Sequence, residues 1–249
     1  VVTASSGNHS ATVAGSSTSA TVTNLDPSTS YTFTVKAINK VGSSASSARS
    51  VAVTPVILSE WSAPSTVSLP LNKPLNYSAT LTRNDSGHGV KHKTVTVYRR
   101  GGPSSKWRAV RTLKTDGHGR IATTLTPNFS AEYEVVWAGK PGVRGASKIT
   151  SVVVRPAVTA VLSKTKVRAG KTVTLSGTVQ KFRAGETVTR EGFYSGAWHV
   201  WNTRKVSSTG TYSFKIHPTS KTVDVYRVVS EAFHHRGAGI SPSVRLTVR

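Results

Sequence analysis

Apolar and polar residues alternate along much of this chain, and the alternation predicts β-strands. Across 31–37, every second residue from Tyr31 to Ala37 is apolar, with Thr and Lys between them. This period of two turns one face of an extended segment toward a core and the other toward water. The same pattern predicts further strands at 75–81, 94–98, 109–113, 121–125, 133–137 and 149–154.

Glycine-containing turn signals separate these segments, at 86–89, 101–103, 116–119 and 142–145. Glycine supplies the positive φ that tight turns need. Val, Thr and Ser dominate the composition, and no Leu/Ala/Glu/Lys tract is present from which to build helices. Six or seven short strands with regular turns are typical of a β-sandwich. The fold class we predict is all-β, with tandem β-sandwich modules.

The first 55 residues carry a more specific pattern. Leu25-x-Pro27-x-x-x-Tyr31 precedes the alternating strand, and a Gly/Ser-rich hairpin at 39–47 follows it. This order resembles the C-terminal half of a fibronectin type III module, whose tyrosine corner ties a loop to a strand. The resemblance implies that 1–55 is a partial module and that the chain starts inside a domain.

Residues 156–249 repeat the plan of 56–155, which predicts two immunoglobulin-like β-sandwiches with those bounds. The segment 94–97 matches 187–190, and Trp107 precedes Gly119 by the same twelve residues that separate Trp198 from Gly210. The entry at 166–177, where a Gly turn leads into a strand, resembles the opening of bacterial immunoglobulin-like surface modules.

Residues 56–69 are predicted to join the first module to the second. Pro55 and Pro64 restrict the backbone on either side, and the apolar content favours packing over a flexible tether. Trp61 is expected to be a wedge at that junction or an ordinary half-buried surface residue.

Charge is the strongest chemical signal. The chain has 33 basic and 10 acidic residues and a net charge of +23. The second module carries 15 basic against 5 acidic residues and the third 15 against 4. Such a field attracts polyanions. We therefore predict an anionic envelope polymer or glycan as partner, bound by Arg99, Arg100, Lys106, Arg108, Arg111, Lys114, Arg204 and Lys205.

Tryptophans accompany these cations along the sequence. Trp107 lies among those of the second module, and Trp198 and Trp201 precede Arg204 and Lys205. Rings beside cations suit sugars, anionic polymers or single-stranded nucleic acid. Because Trp107 and Trp198 recur at one position of the repeat, we expect both to be core residues.

Catalytic and metal-binding patterns are missing from the sequence. There is no Cys, no Gly-x-Ser-x-Gly and no His-Glu-x-x-His. Eight His residues include the pair His234–His235, but neighbours on a strand point to opposite faces. We predict no enzyme activity, no metal and no cofactor.

Three functional hypotheses follow. The first is a non-enzymatic extracellular segment of a modular bacterial surface or secreted protein, which acts as spacer and adheres to anionic envelope polymers. The others are a phage tail or capsid decoration protein and an accessory carbohydrate-binding tail of a secreted hydrolase. No apolar run reaches the roughly 20 residues of a membrane span. Other copies of the chain and neighbouring modules are possible partners, and nucleic acid is disfavoured because no recognition fold is evident.

Overall fold

The computed structural model of the protein describes residues 1–182, 185–232 and 236–249. Within those ranges it contains twenty β-strands and no helix. The all-β prediction is confirmed. None of the described residues forms a helix long and apolar enough to cross a bilayer.

Residues 1–55 form a small antiparallel sheet whose central strand is Val2–Ala4. Tyr31 is 1% exposed and pairs through its backbone with Val53. Its phenolic oxygen accepts a hydrogen bond from the backbone N–H of Asp26 at 2.9 Å, so the predicted tyrosine corner is present. The strands are β1 (Val2–Ala4), β2 (Ser10–Ala11) and β3 (Phe33–Val35), in the order β2-β1-β3.

Replacing Tyr31 with phenylalanine should loosen this corner while leaving the ring in place. The Asp26 N–H would lose its acceptor, and one such hydrogen bond stabilises a fold by about 1 kcal/mol. We expect the Asp26 amide to exchange with solvent roughly fivefold faster. Amide hydrogen exchange of the two proteins measures this, and unchanged exchange would show that the corner contributes nothing.

The second module consists of two sheets that face each other. The strands are β4 (Ser59–Ser62), β5 (Thr66–Pro70), β6 (Leu75–Arg83), β7 (Thr94–Arg100), β8 (Arg108–Lys114), β9 (Arg120–Leu125), β10 (Ala131–Lys140) and β11 (Val143–Arg155). One sheet has five strands in the order β5-β11-β10-β7-β8, and the other has three in the order β4-β6-β9. All neighbours are antiparallel except β5 and β11.

The prediction that residues 56–69 form a connection between modules is wrong, because this segment supplies β4 and β5 to the sandwich. Trp61 is 5% exposed within the core of the module, and its indole N–H donates to the carbonyl of Ala146 at 3.1 Å. Both expectations for Trp61 were therefore wrong. Ile57, Ala63, Val67 and Leu69 also belong to this core or pack against it, whereas Val56 and Leu58 are exposed.

The third module repeats this topology. Its five-stranded path runs β13-β20-β18-β15-β16, with β19 added beside β18, and its smaller sheet runs β12-β14-β17. A separate core, which includes Phe214, Tyr226 and Leu246, lies between the sheets. The strands are β12 (Val161–Leu162), β13 (Lys166–Val167), β14 (Val173–Thr178), β15 (Thr187–Tyr194), β16 (Ala197–Lys205), β17 (Thr211–Ile216), β18 (Thr222–Ser230), β19 (Gly239–Ile240) and β20 (Val244–Val248).

The two modules also share an irregularity at one position. The ladder between β7 and β8 shifts register between Val97 and Tyr98, and that between β15 and β16 shifts between Arg190 and Glu191. Each shift begins three residues after the threonine that opens the first strand of the pair. Val97 and Arg190 therefore occupy equivalent positions. A bulge bends the strand that carries it and increases its local twist, so both modules share this distortion in their edge hairpins.

Candidate anion-binding surfaces

The tip of the β7–β8 hairpin gathers four of the eight predicted binding residues. Arg99 and Arg100 end β7, Arg108 begins β8, and Lys106 lies in the connecting loop. Together with the ring of Phe129 they line a cavity of about 480 Å³ that has no carboxylate among its lining residues. We call these four cations and the cavity the hairpin-tip site.

Two of the arginines are held by aromatic rings. The guanidinium carbon of Arg100 lies 4.5 Å from the centre of the Trp107 ring, and its Nε donates to Glu132 at 2.5 Å. Arg99 lies 3.9 Å above the ring of Phe129, and its buried Nε and Nη2 have no hydrogen-bond partner. A cation on an aromatic face is fixed in place and keeps its edge for an anion. Arg100 is partly neutralised, whereas Arg99, Lys106 and Arg108 supply uncompensated charge.

The other four predicted binding residues lie elsewhere. Arg111 is opposite Val97 in the middle of the hairpin, and Lys114 ends β8 opposite Thr94. At about 3.3 Å per residue, Lys114 is about 20 Å along the strand from Arg108. Arg204 and Lys205 end β16, opposite Val188 and Thr187, so they are equally remote from Trp198. The structure therefore brings together Arg99, Arg100, Lys106 and Arg108, and not Arg111, Lys114, Arg204 and Lys205.

The expectation that Trp107 and Trp198 are core residues is wrong, because both are half-buried and belong to neither core. Each lies on the hairpin at the edge of its module's larger sheet. The opposite sheet has only three strands, so the larger sheet extends beyond it. Trp198 is covered as Trp107 is: Arg227 lies 4.2 Å from its ring centre and pairs with Glu191 at 2.6 Å. The recurrence of tryptophan reflects a repeated arginine–tryptophan–glutamate arrangement at the surface.

A second cationic surface was missed by the sequence analysis. Lys164, Lys166, Arg168, Lys171 and Arg249 line a groove of about 650 Å³ in the third module, and the lining contains no carboxylate. Residues 164–168 extend along β20, with Lys166 opposite Thr247, which brings Arg249 to the same end. We call this the terminal groove. The available signal was Lys164, Lys166 and Arg168 at alternate positions, which places their side chains on one side of an extended segment.

Metal binding finds no support in the described part of the chain, where no three His, Asp or Glu residues cluster as ligands. The pair His234–His235 lies outside the described residues. In the described part of the chain, four of the ten carboxylates make ion pairs with arginines, namely Asp85, Glu132, Glu186 and Glu191.

No curated protein matches the chain. Among solved structures, similar folds include a tetra-tandem repeat from the extending region of a large adhesion protein (15% identity, TM-score 0.37, 88% of this chain and 56% of that one). Others are the Yersinia pseudotuberculosis adhesin InvE (13%, TM-score 0.30, 78% and 58%) and the D0-D1 domain of intimin (15%, TM-score 0.30, 76% and 97%). The chain thus spans less than two thirds of the first two structures. Residues 1–53 match the family model of the fibronectin type III domain, and the chain continues from this match into two further β-sandwich modules.

Proposed function

We propose that this chain is a non-enzymatic extracellular segment of a modular surface or secreted protein, which attaches through cationic surfaces to anionic polymers of a cell envelope. The observation that carries the proposal is the pair of cavities, the hairpin-tip site and the terminal groove, each lined by four or more cations and by no carboxylate. Anionic glycans and teichoic acids carry repeated negative charges, so one polymer can contact both surfaces at the same time.

Electrostatics supports this function over a purely mechanical one. A spacer needs enough charge for solubility, and a small domain reaches that with a net charge of magnitude about 2–8. The second module carries 15 basic and 5 acidic residues and the third 15 and 4, so each exceeds that range. Two sites on one chain also raise the effective affinity for a long polymer, because the second contact forms at high local concentration.

The non-enzymatic part of the proposal is supported by the chemistry of the acidic residues. Glycosidase mechanisms need a pair of carboxylates that are free to exchange protons or attack a substrate. Glu132 and Glu191 are instead held against arginines that cover tryptophans. The phage and hydrolase-tail hypotheses place the same surfaces on other parent proteins, and the following test applies to them equally.

Binding to a soluble teichoic acid or to polygalacturonate should weaken steeply with salt. For about four released counterions we expect a loss of roughly tenfold or more between about 0.05 and 0.2 M salt. Reversing two charges at the hairpin-tip site, with Lys106→Glu and Arg108→Glu, should weaken binding by a similar factor. Biolayer interferometry on immobilised polymer, with neutral dextran as the reference surface, measures both effects.

The matched control is Lys73→Glu with Arg120→Glu, which changes the net charge equally in the same module. Both residues are exposed and neither lines a cationic cavity. Binding that does not depend on salt would leave only the spacer role. An equal loss in the control pair would show that total charge, and not the hairpin-tip site, recognises the polymer.

A further inference from the structure

The third module contains a cleft with a different chemistry from the cationic surfaces. It has a volume of about 320 Å³ and lies beside the loop that connects β17 to β18. Its lining includes Arg190, Trp201, His217, Thr222, Asp224 and Tyr226. Neither the hairpin-tip site nor the terminal groove shares any of these residues.

Arg190 is the unusual member of this cleft. It is 6% exposed, and its Nε and Nη1 have no hydrogen-bond partner. Its guanidinium carbon lies 5.0 Å from the ring centre of Trp201, 5.5 Å from that of Tyr226 and 6.0 Å from that of Phe214. Burial lowers the pKa of Arg190, while Tyr226 and Asp224 oppose that shift.

The equivalent residue of the second module is Val97, which is 0% exposed in the core. A valine is therefore sufficient for the fold at this position. Burying a guanidinium with unmet donors costs free energy that an apolar side chain would not. The cost is explained if the cationic side chain, which lines the cleft, serves a ligand that enters it.

Asp224 is oriented toward the same space by two hydroxyl groups. Thr222 donates to Oδ1 at 3.3 Å and Tyr226 donates to Oδ2 at 3.0 Å. Each carboxylate oxygen retains a second acceptor position. Two adjacent oxygens with free lone pairs match the spacing of neighbouring hydroxyl groups on a sugar ring.

Trp201 supplies an aromatic wall. Its side chain is among the exposed large apolar groups, at 47% exposure. The indole packs over Gly192, where an added Cβ would lie 2.8 Å from Nε1, so only glycine leaves room for it. Tyr226 meets the indole edge-on, with ring centres 5.5 Å apart. A tryptophan that is fixed on one side and open on the other is a surface on which a pyranose can stack.

We infer that this cleft binds an uncharged pyranose unit of a glycan, stacked on Trp201 and hydrogen-bonded by Arg190 and Asp224. The unit is uncharged because the positive Arg190 and the negative Asp224 balance one another at the site. Both groups make charge-assisted hydrogen bonds with hydroxyls, which are stronger than neutral ones. This site is independent of the proposed polyanion binding, and its affinity is expected to change little with salt.

Affinity electrophoresis of the full chain through gels containing soluble mannan, laminarin or dextran tests the inference. We expect at least one of these neutral glycans to retard the wild-type chain equally at low and high salt. Trp201→Ala removes the stacking surface and Asp224→Asn removes hydrogen bonds to a charged group, and each should weaken that retardation about tenfold.

Arg190→Val separates binding from folding. It installs the residue found at the equivalent position of the second module, so the variant should fold with an equal or higher melting temperature and lose retardation about tenfold. Phe193→Ala is the matched aromatic control: Phe193 is 44% exposed on the same hairpin, packs against Trp198 and does not line the cleft. The inference is overturned if no glycan retards the wild-type chain, if Arg190→Val binds normally, or if Phe193→Ala weakens binding as strongly as Trp201→Ala.

Discussion

Replacing Arg236 with methionine should lower the free energy of unfolding of the third module by about 3 kcal/mol or more. The Nη2 of Arg236 lies 2.5 Å from Oε2 of Glu186, whose side chain is 0% exposed. Arg236 also donates to the carbonyl oxygen of Lys181. Methionine keeps most of the side-chain volume but removes this charged partner from a fully buried carboxylate. Urea unfolding followed by tryptophan fluorescence measures the change.

The matched control is Arg83→Met, which breaks an ion pair of the same 2.5 Å length with Asp85. Its two side chains are 37% and 41% exposed, so water replaces the lost partner and stability should hardly change. The double variant Glu186→Gln with Arg236→Met should recover part of the loss, because it also removes the buried negative charge that Arg236 compensated. If Arg236→Met and Arg83→Met have equal effects, burial does not determine the cost of breaking these pairs.

Strands such as β6 and β10 of the second module were predictable because each buries one face only. Period-two alternation marks such strands directly, and the segment predicted at 75–81 falls within β6 as that at 133–137 falls within β10. The tyrosine corner was equally visible, since it needs particular residues at particular spacings. The domain bounds at 55/56 and 155/156 remain predictions, although the two cores consist of residues from the second and the third ranges respectively.

The surface arrangement was less predictable, because it depends on which strands lie at an edge. Trp107 recurs as Trp198, and recurrence in sequence is as compatible with a repeated surface contact as with a repeated core position. The deciding fact is that β8 and β16 end their sheets. Likewise, Arg99 and Lys106 could be grouped from the hairpin alone, whereas Arg249 joins Lys166 only through pairing between β13 and β20.

One framework thus presents different chemistry at equivalent positions. The core residue Val97 of the second module corresponds to Arg190 in the third. Arg99 on the cationic hairpin corresponds to Gly192, which lies beneath Trp201. Aligning the repeat exposes these exchanges, and a valine-to-arginine exchange at a core position is the signal by which the cleft could have been found from sequence. The other cleft residues Asp224 and Thr222 lie on a strand that is far from Arg190 in the sequence, so their place in the cleft could not have been found from the sequence.

Replacing Trp61 with alanine should destabilise the second module by about 3–5 kcal/mol, the usual cost of truncating a buried tryptophan. Trp61 is 5% exposed, and its loss also leaves the Ala146 carbonyl without the indole donor. Amide hydrogen exchange of the full chain resolves the modules. We expect faster exchange across β6 and β10 and little change in the third module, which has its own core.

This result would also support our proposal that the second module begins at residue 56. Ile57, which precedes β4, pairs with Val143 and donates its N–H to the carbonyl of Gly142 at 2.9 Å, so the segment is attached to β11 before its first strand starts. Trp107→Ala is the control, because that tryptophan is half-buried on the edge hairpin and should change core exchange far less. If Trp61→Ala instead accelerates exchange mainly around Tyr31 and Val53, the residue stabilises the first module and the boundary belongs further along the chain.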